Sequence, residues 1–211
     1  MFDLNEEPPM GHSSFLNEIP SIFHPYITHI QNVMGDGNCG FRSIAVCLGY
    51  REDEWLNIRQ QLHQELWRSY HDYAKVFIGC DEIVTSLSFF FANKPAPPKH
   101  WMLMPETGIL IANTYGVVVQ FLTNQGSATF FPLWRGPNEF ENHRVITFAL
   151  VYNNHYVMVQ LQGECPMPPI SVLWTRHKTP PATLWETMYK SRLQFYKQLK
   201  PTERCFMTLD D

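Results

Sequence analysis

The octapeptide Gly35-Asp36-Gly37-Asn38-Cys39-Gly40-Phe41-Arg42 constrains this chain more than any other feature. The apolar-periodic stretch Ser43–Leu48 follows it directly, so the block reads as a glycine-jointed turn that delivers a cysteine to the start of a helix. Gly37 and Gly40 allow positive φ, or an approach to a substrate closer than a residue with a Cβ permits. A thiol at that position feels the positive end of the helix dipole, and the first-turn N–H groups are free to bond S⁻ or a developing oxyanion. Much later, Val151-Tyr152-Asn153-Asn154-His155-Tyr156-Val157 brings a histidine to the edge of a strand-like run. An early cysteine and a late histidine, each at an element boundary, imply nucleophilic thiol chemistry with an imidazole base.

Asp36-Gly37-Asn38-Cys39 with Phe41-Arg42, together with His155-Tyr156 opening a strand, resembles the OTU (ovarian tumour) family of papain-like cysteine proteases over roughly residues 27–161. Shorter blocks are similar to the OTU-type domains of plant proteins related to Mutator-like transposases. They are Ile19-Pro20 to Ile27, Trp101-Met102 with Met104-Pro105, Phe130-Phe131-Pro132-Leu133, and Pro168-Pro169-Ile170 to Leu173-Trp174. The resemblance implies an α+β, papain-like fold with helices packed around a small, mostly antiparallel or mixed sheet. It implies a cysteine isopeptidase acting on ubiquitin or a ubiquitin-like modifier, with Cys39 as nucleophile and His155 as general base.

Backbone N–H groups of Cys39 and of Gly37 or Asn38 would then form the oxyanion hole, each donor contributing about 3–4 kcal/mol. The third catalytic member departs from the family, many of whose proteases carry Asp or Asn two positions after the histidine. Here Val157 stands there and accepts nothing. Alternate residues of an extended segment share a face, which makes Asn153 one substitute; Asn154 and Asp36 are others. For Asp36 the resemblance implies a different task, shaping the nucleophile turn and the oxyanion hole. Val157 also motivates a rival reading, a catalytically impaired domain that binds ubiquitin or another protein. The plant-type blocks motivate a third, an accessory module of a transposase-derived protein.

Length and composition set the frame. At 211 residues the chain holds one domain with a real core, and 45% hydrophobic against 17% charged residues describes a globular protein. A net charge of −4, with no basic run interleaved with aromatics, argues against nucleic-acid binding by this chain alone. Five scattered cysteines without a Cys-x-x-Cys pair fit free thiols in a reducing compartment, hence an intracellular setting in cytoplasm or nucleus, with no metal site and no cofactor. The longest apolar run, 109–122, is interrupted by Asn113, Thr114, Gly116 and Gln120, so no membrane span is expected.

The organisation expected is a flexible lead-in over 1–21, the catalytic domain over 22–163, and a proline-rich connection with a terminal helix over 164–211. That last helix either packs on the domain or reaches a neighbouring domain of a longer parent protein. Helices are expected over 52–77, 81–90, 105–115 and 183–199. Strands are expected at 117–122, 129–133, 145–152 and 155–161, the last two joined as a hairpin at Asn153-Asn154.

Overall fold

Alternation and burial of the four strand-like runs produce a five-stranded mixed sheet in the computed structural model, which describes residues 12–138 and 143–199. Its order is β1-β5-β4-β2-β3, built from β1 (Ile27–Gln31), β2 (Val118–Leu122), β3 (Ala128–Phe130), β4 (Val145–Val151) and β5 (His155–Leu161). Only the β2–β4 pair is parallel. With helices on both faces the architecture is α+β, as expected from helices first and strands later.

β1 is not among the strands expected from the sequence, and Ile27-Thr28-His29-Ile30-Gln31 alternates poorly. As an edge strand it buries only Ile30 and takes its shape from β5, with Ile30 opposite Val159 and Gln31 opposite Met158. The long helix expected over 52–77 is broken. A 3-10 turn (Glu52–Glu54) leads into α3 (Trp55–Arg68), and Ser69 separates it from α4 (Tyr70–Val76). Ser69 has φ −120° and ψ 29°, outside the helical region, while Trp55, Ile58, Leu62 and Leu66 keep the helical spacing that buries one face of α3. The C-terminal helix is likewise split, at Tyr189, into α8 (Leu184–Met188) and α9 (Lys190–Leu199), and a further helix, α7 (Val172–His177), precedes it.

One face of the sheet packs against α2 (Cys39–Cys47), α3, α5 (Cys80–Leu87) and α6 (Glu106–Tyr115), with Phe41, Ile44, Ile58, Leu62, Ile109 and Phe148 in a single core. Trp174 and Trp185 belong to the same core, so the described residues after 163 fold onto the domain. Their extended Pro168-Pro169 stretch runs along β3, where Thr129 donates its N–H to Pro169 O and accepts from Ser171 N–H. The opposite face carries Ala149, Val151, Val157 and Val159, covered by Phe15, Ile19 and Phe23. The lead-in expected to be flexible over 1–21 is therefore folded from α1 (His12–Leu16) onward, because Phe15 and Ile19 have an apolar sheet face to bury against. Residues 1–11, including the acidic Met1–Glu7 stretch, and Cys205 lie outside the described residues. Among the described residues no helix is long and apolar enough to cross a membrane.

Candidate active site

Cys39 opens α2, and the turn that presents it is built from three sets of bonds. Asp36 takes Arg42 in a fork, Oδ2 from Nη2 at 2.7 Å and Oδ1 from Nε at 3.2 Å. It also accepts the N–H and the side-chain amide of Asn38, at 3.0 and 3.2 Å. Burial alone would push the Asp36 carboxyl up, but these donors outweigh it and hold it below the usual carboxylate range. Asn38 passes the linkage on, its Oδ1 accepting from Nη2 of the fully buried Arg59 at 2.8 Å. The Asn38 side chain therefore does not cap α2, and the N–H groups of the first turn stay open around the cysteine.

The second wall of the site is the loop from Pro95 to Leu103. Ala96 N–H donates to Asp36 O at 2.8 Å, and Trp101 Nε1 donates to Ala96 O at 3.0 Å. Gly37, at φ +78°, lies so close that a Cβ there would stand 2.2 Å from Ala96 O. Gly40 lets Met102 lie across the start of the helix, where a Cβ would meet its Cε at 2.7 Å. A groove of 180 Å³ runs between the walls, lined by Gly37, Cys39, Gly40, Trp101, Met102 and Tyr156 with the Asn153-Asn154 turn at one end.

Burial pushes the Cys39 thiol above its ordinary value, against N–H groups of Tyr156, Gly40 and Cys39 itself that favour the anion. Tyr156 follows His155, so its bond sets the sulfur against the strand that carries the imidazole. His155 is itself pushed below its ordinary value by burial. Both shifts favour the uncharged forms, whereas the helix N-terminus read from sequence suggests a thiolate. Desolvation at a residue only 6% exposed outweighs the N–H groups that favour the anion.

Two of the three sequence-derived candidates for the third member have side-chain partners elsewhere. Asn153 Oδ1 accepts from Gln125 Nε2 at 2.7 Å, and Asp36 is committed to Arg42 and Asn38. Asn154 lines the groove and donates its N–H to Val151 O at 3.3 Å. The imidazole bonds instead to Asn32, with Nε2 to Oδ1 at 2.8 Å. Asn32 directly follows β1. Carrying the Gln31–Met158 register one step on sets it opposite Val157, on the face that His155 shares. The acceptor missing at position 157 is thus supplied across the strand pair. Because Asn32 Oδ1 can only accept, Nε2 carries the proton and Nδ1 holds the free lone pair. That nitrogen faces the nucleophile turn, a Cβ on Gly35 falling 3.7 Å from it. Of the candidate oxyanion donors, the Asn38 N–H is taken by Asp36, while Gly37 and Cys39 line the groove. Among the described residues no group of three or more His, Cys, Asp or Glu side chains could hold a metal ion.

No family model and no curated protein matches the chain. Solved structures similar to it include the OTU domain of OTUD1, at TM-score 0.47 and 15% identity over 63% of this chain and 85% of that one. Two others are the viral OTU domain protease from Dera Ghazi Khan virus (TM-score 0.47, 14% identity) and the Hazara virus OTU bound to ubiquitin (TM-score 0.47, 12% identity). Each of these matches covers 67% of this chain and 85% of the other.

Proposed function

We propose that this chain is an OTU-type cysteine isopeptidase that cleaves ubiquitin or a ubiquitin-like modifier from an amine. One observation carries the reading: a cysteine at an uncapped helix start, and an imidazole whose Nε2 is committed to Asn32 while its Nδ1 faces the nucleophile turn at Gly35. In this mechanism His155 Nδ1 takes the Cys39 proton as sulfur adds to the carbonyl carbon, and the open N–H groups of the first turn of α2 receive the oxyanion. The tetrahedral species collapses to a thioester as the imidazolium returns the proton to the departing amine. Water, deprotonated by the same nitrogen, then attacks the thioester and regenerates the thiol. The oxyanion and the thioester form at the first turn of α2, and the imidazolium forms on His155 at the start of β5.

The test is a ubiquitin probe bearing a cysteine-reactive C-terminal group. Labelling of the wild-type chain that disappears in Cys39→Ala and falls in His155→Ala supports the enzyme. Labelling that survives Cys39→Ala rejects the nucleophile assigned here. Binding without labelling favours the impaired, protein-binding domain, a reading to which the low exposure and raised thiol of Cys39 also lend support.

Asn32→Ala should slow labelling about tenfold to a hundredfold, the cost typical of losing the outer partner that orients a working histidine. Asn32→Asp should restore most of that rate. Its carboxylate raises the imidazole, so the acid limb of the pH profile moves to higher pH than in the wild type. An Asn32→Ala variant with the wild-type rate and profile would remove Asn32 from the mechanism.

A further inference from the structure

The residues just before the sheet make contacts that burial alone does not require. Phe15, 5% exposed, stacks on the His155 ring with centroids 6.4 Å apart and planes at 30°, and its other neighbour is the Tyr152 ring at 6.0 Å. Three residues on, Glu18 Oε2 accepts the backbone N–H of Tyr152 at 3.1 Å. Tyr152 and Asn153 form the turn before His155, and both sit at positive φ, 51° and 60°, without being glycine. Such a conformation costs about 1–3 kcal/mol per residue and persists only where its surroundings fix it. Glu18 holds the turn at Tyr152, and Gln125 holds it at Asn153 from the far side. Ile19 and Phe23, buried against the Val151, Val157 and Ile30 face, anchor the segment independently of the histidine.

We propose that Phe15–Ile19 is a positioning strap for the imidazole: Glu18 fixes the strained turn that launches β5, and the Phe15 ring fixes the plane of His155 against Asn32. The stacked phenyl limits rotation of the ring and excludes water from one of its faces, which keeps the base neutral and its Nδ1 lone pair aimed at the nucleophile turn. The groups around the imidazole are Phe15 and Asn32, both uncharged, and the backbone of Gly35. Glu18 bonds the Tyr152 amide, and Asp36 in the nucleophile turn is paired with Arg42. Desolvation is accordingly what sets the ring's titration.

The activity arm of the test rests on the isopeptidase reading; the titration arm does not. Proton NMR of the His155 ring, assigned with His155→Gln, should give a pKa below about 6.5 in the wild type and a move toward that value in Phe15→Ala. Phe15→Tyr keeps the ring and should keep the wild-type titration. Probe labelling should fall about tenfold in Phe15→Ala and recover in Phe15→Tyr. Glu18→Ala, at a half-buried position outside the apolar cluster, should shift both readouts in the same direction by less, and it decides the question if Phe15→Ala does not fold. An unchanged His155 titration in a folded Phe15→Ala or Glu18→Ala variant overturns the strap. Absence of labelling in the wild type counts against the isopeptidase reading alone, with the titration still deciding the strap.

Discussion

Gly37→Ala is expected to abolish the reactivity of Cys39 and to cost about 3 kcal/mol or more of stability. Two independent faults add at this position. At φ +78° an L side chain is strained by about 1–2 kcal/mol even in open space. Space is also lacking, since the new Cβ would stand 2.2 Å from a backbone carbonyl, Ala96 O, with Trp101 Nε1 at 2.7 Å. A flexible side chain could swing away, but this carbonyl belongs to a loop already tied to Asp36 O through the Ala96 N–H. Relief therefore requires the nucleophile turn and the Pro95–Leu103 loop to separate, which opens the groove and misplaces the sulfur. Thermal unfolding gives the stability loss, and alkylation of Cys39 by iodoacetamide gives the reactivity. A Gly37→Ala protein with unchanged melting temperature and alkylation rate would show that the turn is not built this way.

Arg59→Met should be comparably damaging, at about 3 kcal/mol or more. The Arg59 guanidinium is fully buried and donates to Asn38 Oδ1, Ser86 O and His100 O, so it ties the nucleophile turn to α5 and to the loop before Trp101. It lies 3.9 Å above the Phe41 ring, and burial pushes it down to about 9, at which it still carries its charge at neutral pH. Methionine preserves much of the apolar stem but leaves two buried oxygens and a half-buried one without that donor. Arg59→Lys keeps the charge and loses the fork, so it should recover only part of the stability. Urea unfolding of the three proteins checks the order, and an Arg59→Met variant as stable as the wild type refutes the tie.

The nucleophile turn was the most legible part of the chain because its chemistry is local. Glycines, an N-terminal helix position and an apolar period all lie within a dozen residues, and β4 and β5 announce themselves through apolar content and a short Asn-Asn turn. The role of Asn32 was hidden because nothing in Gln31-Asn32-Val33 looks unusual. It depends on the register of two strands whose partners lie 123 residues apart, which no local pattern encodes. Looking for an acceptor across the strand pair, once Val157 had ruled itself out, is the signal that could have found it. The strap was missed for a related reason, since Phe15 gains meaning only when a sheet face is there to receive it. The thiol's raised pKa was misjudged because a dipole can be read from sequence and the desolvation opposing it cannot. Ser69 and Tyr189 split helices whose apolar spacing runs on through the break, so periodicity alone could not see them.

β1 lies at the rim of the sheet and buries a single side chain, yet the residue that follows it determines which nitrogen of the imidazole is protonated. On the isopeptidase reading, chemical competence is thereby hitched to an edge strand of the fold. A molecule in which that rim has peeled away would keep its core, its sulfur and its histidine while losing the proton arrangement that makes them useful together.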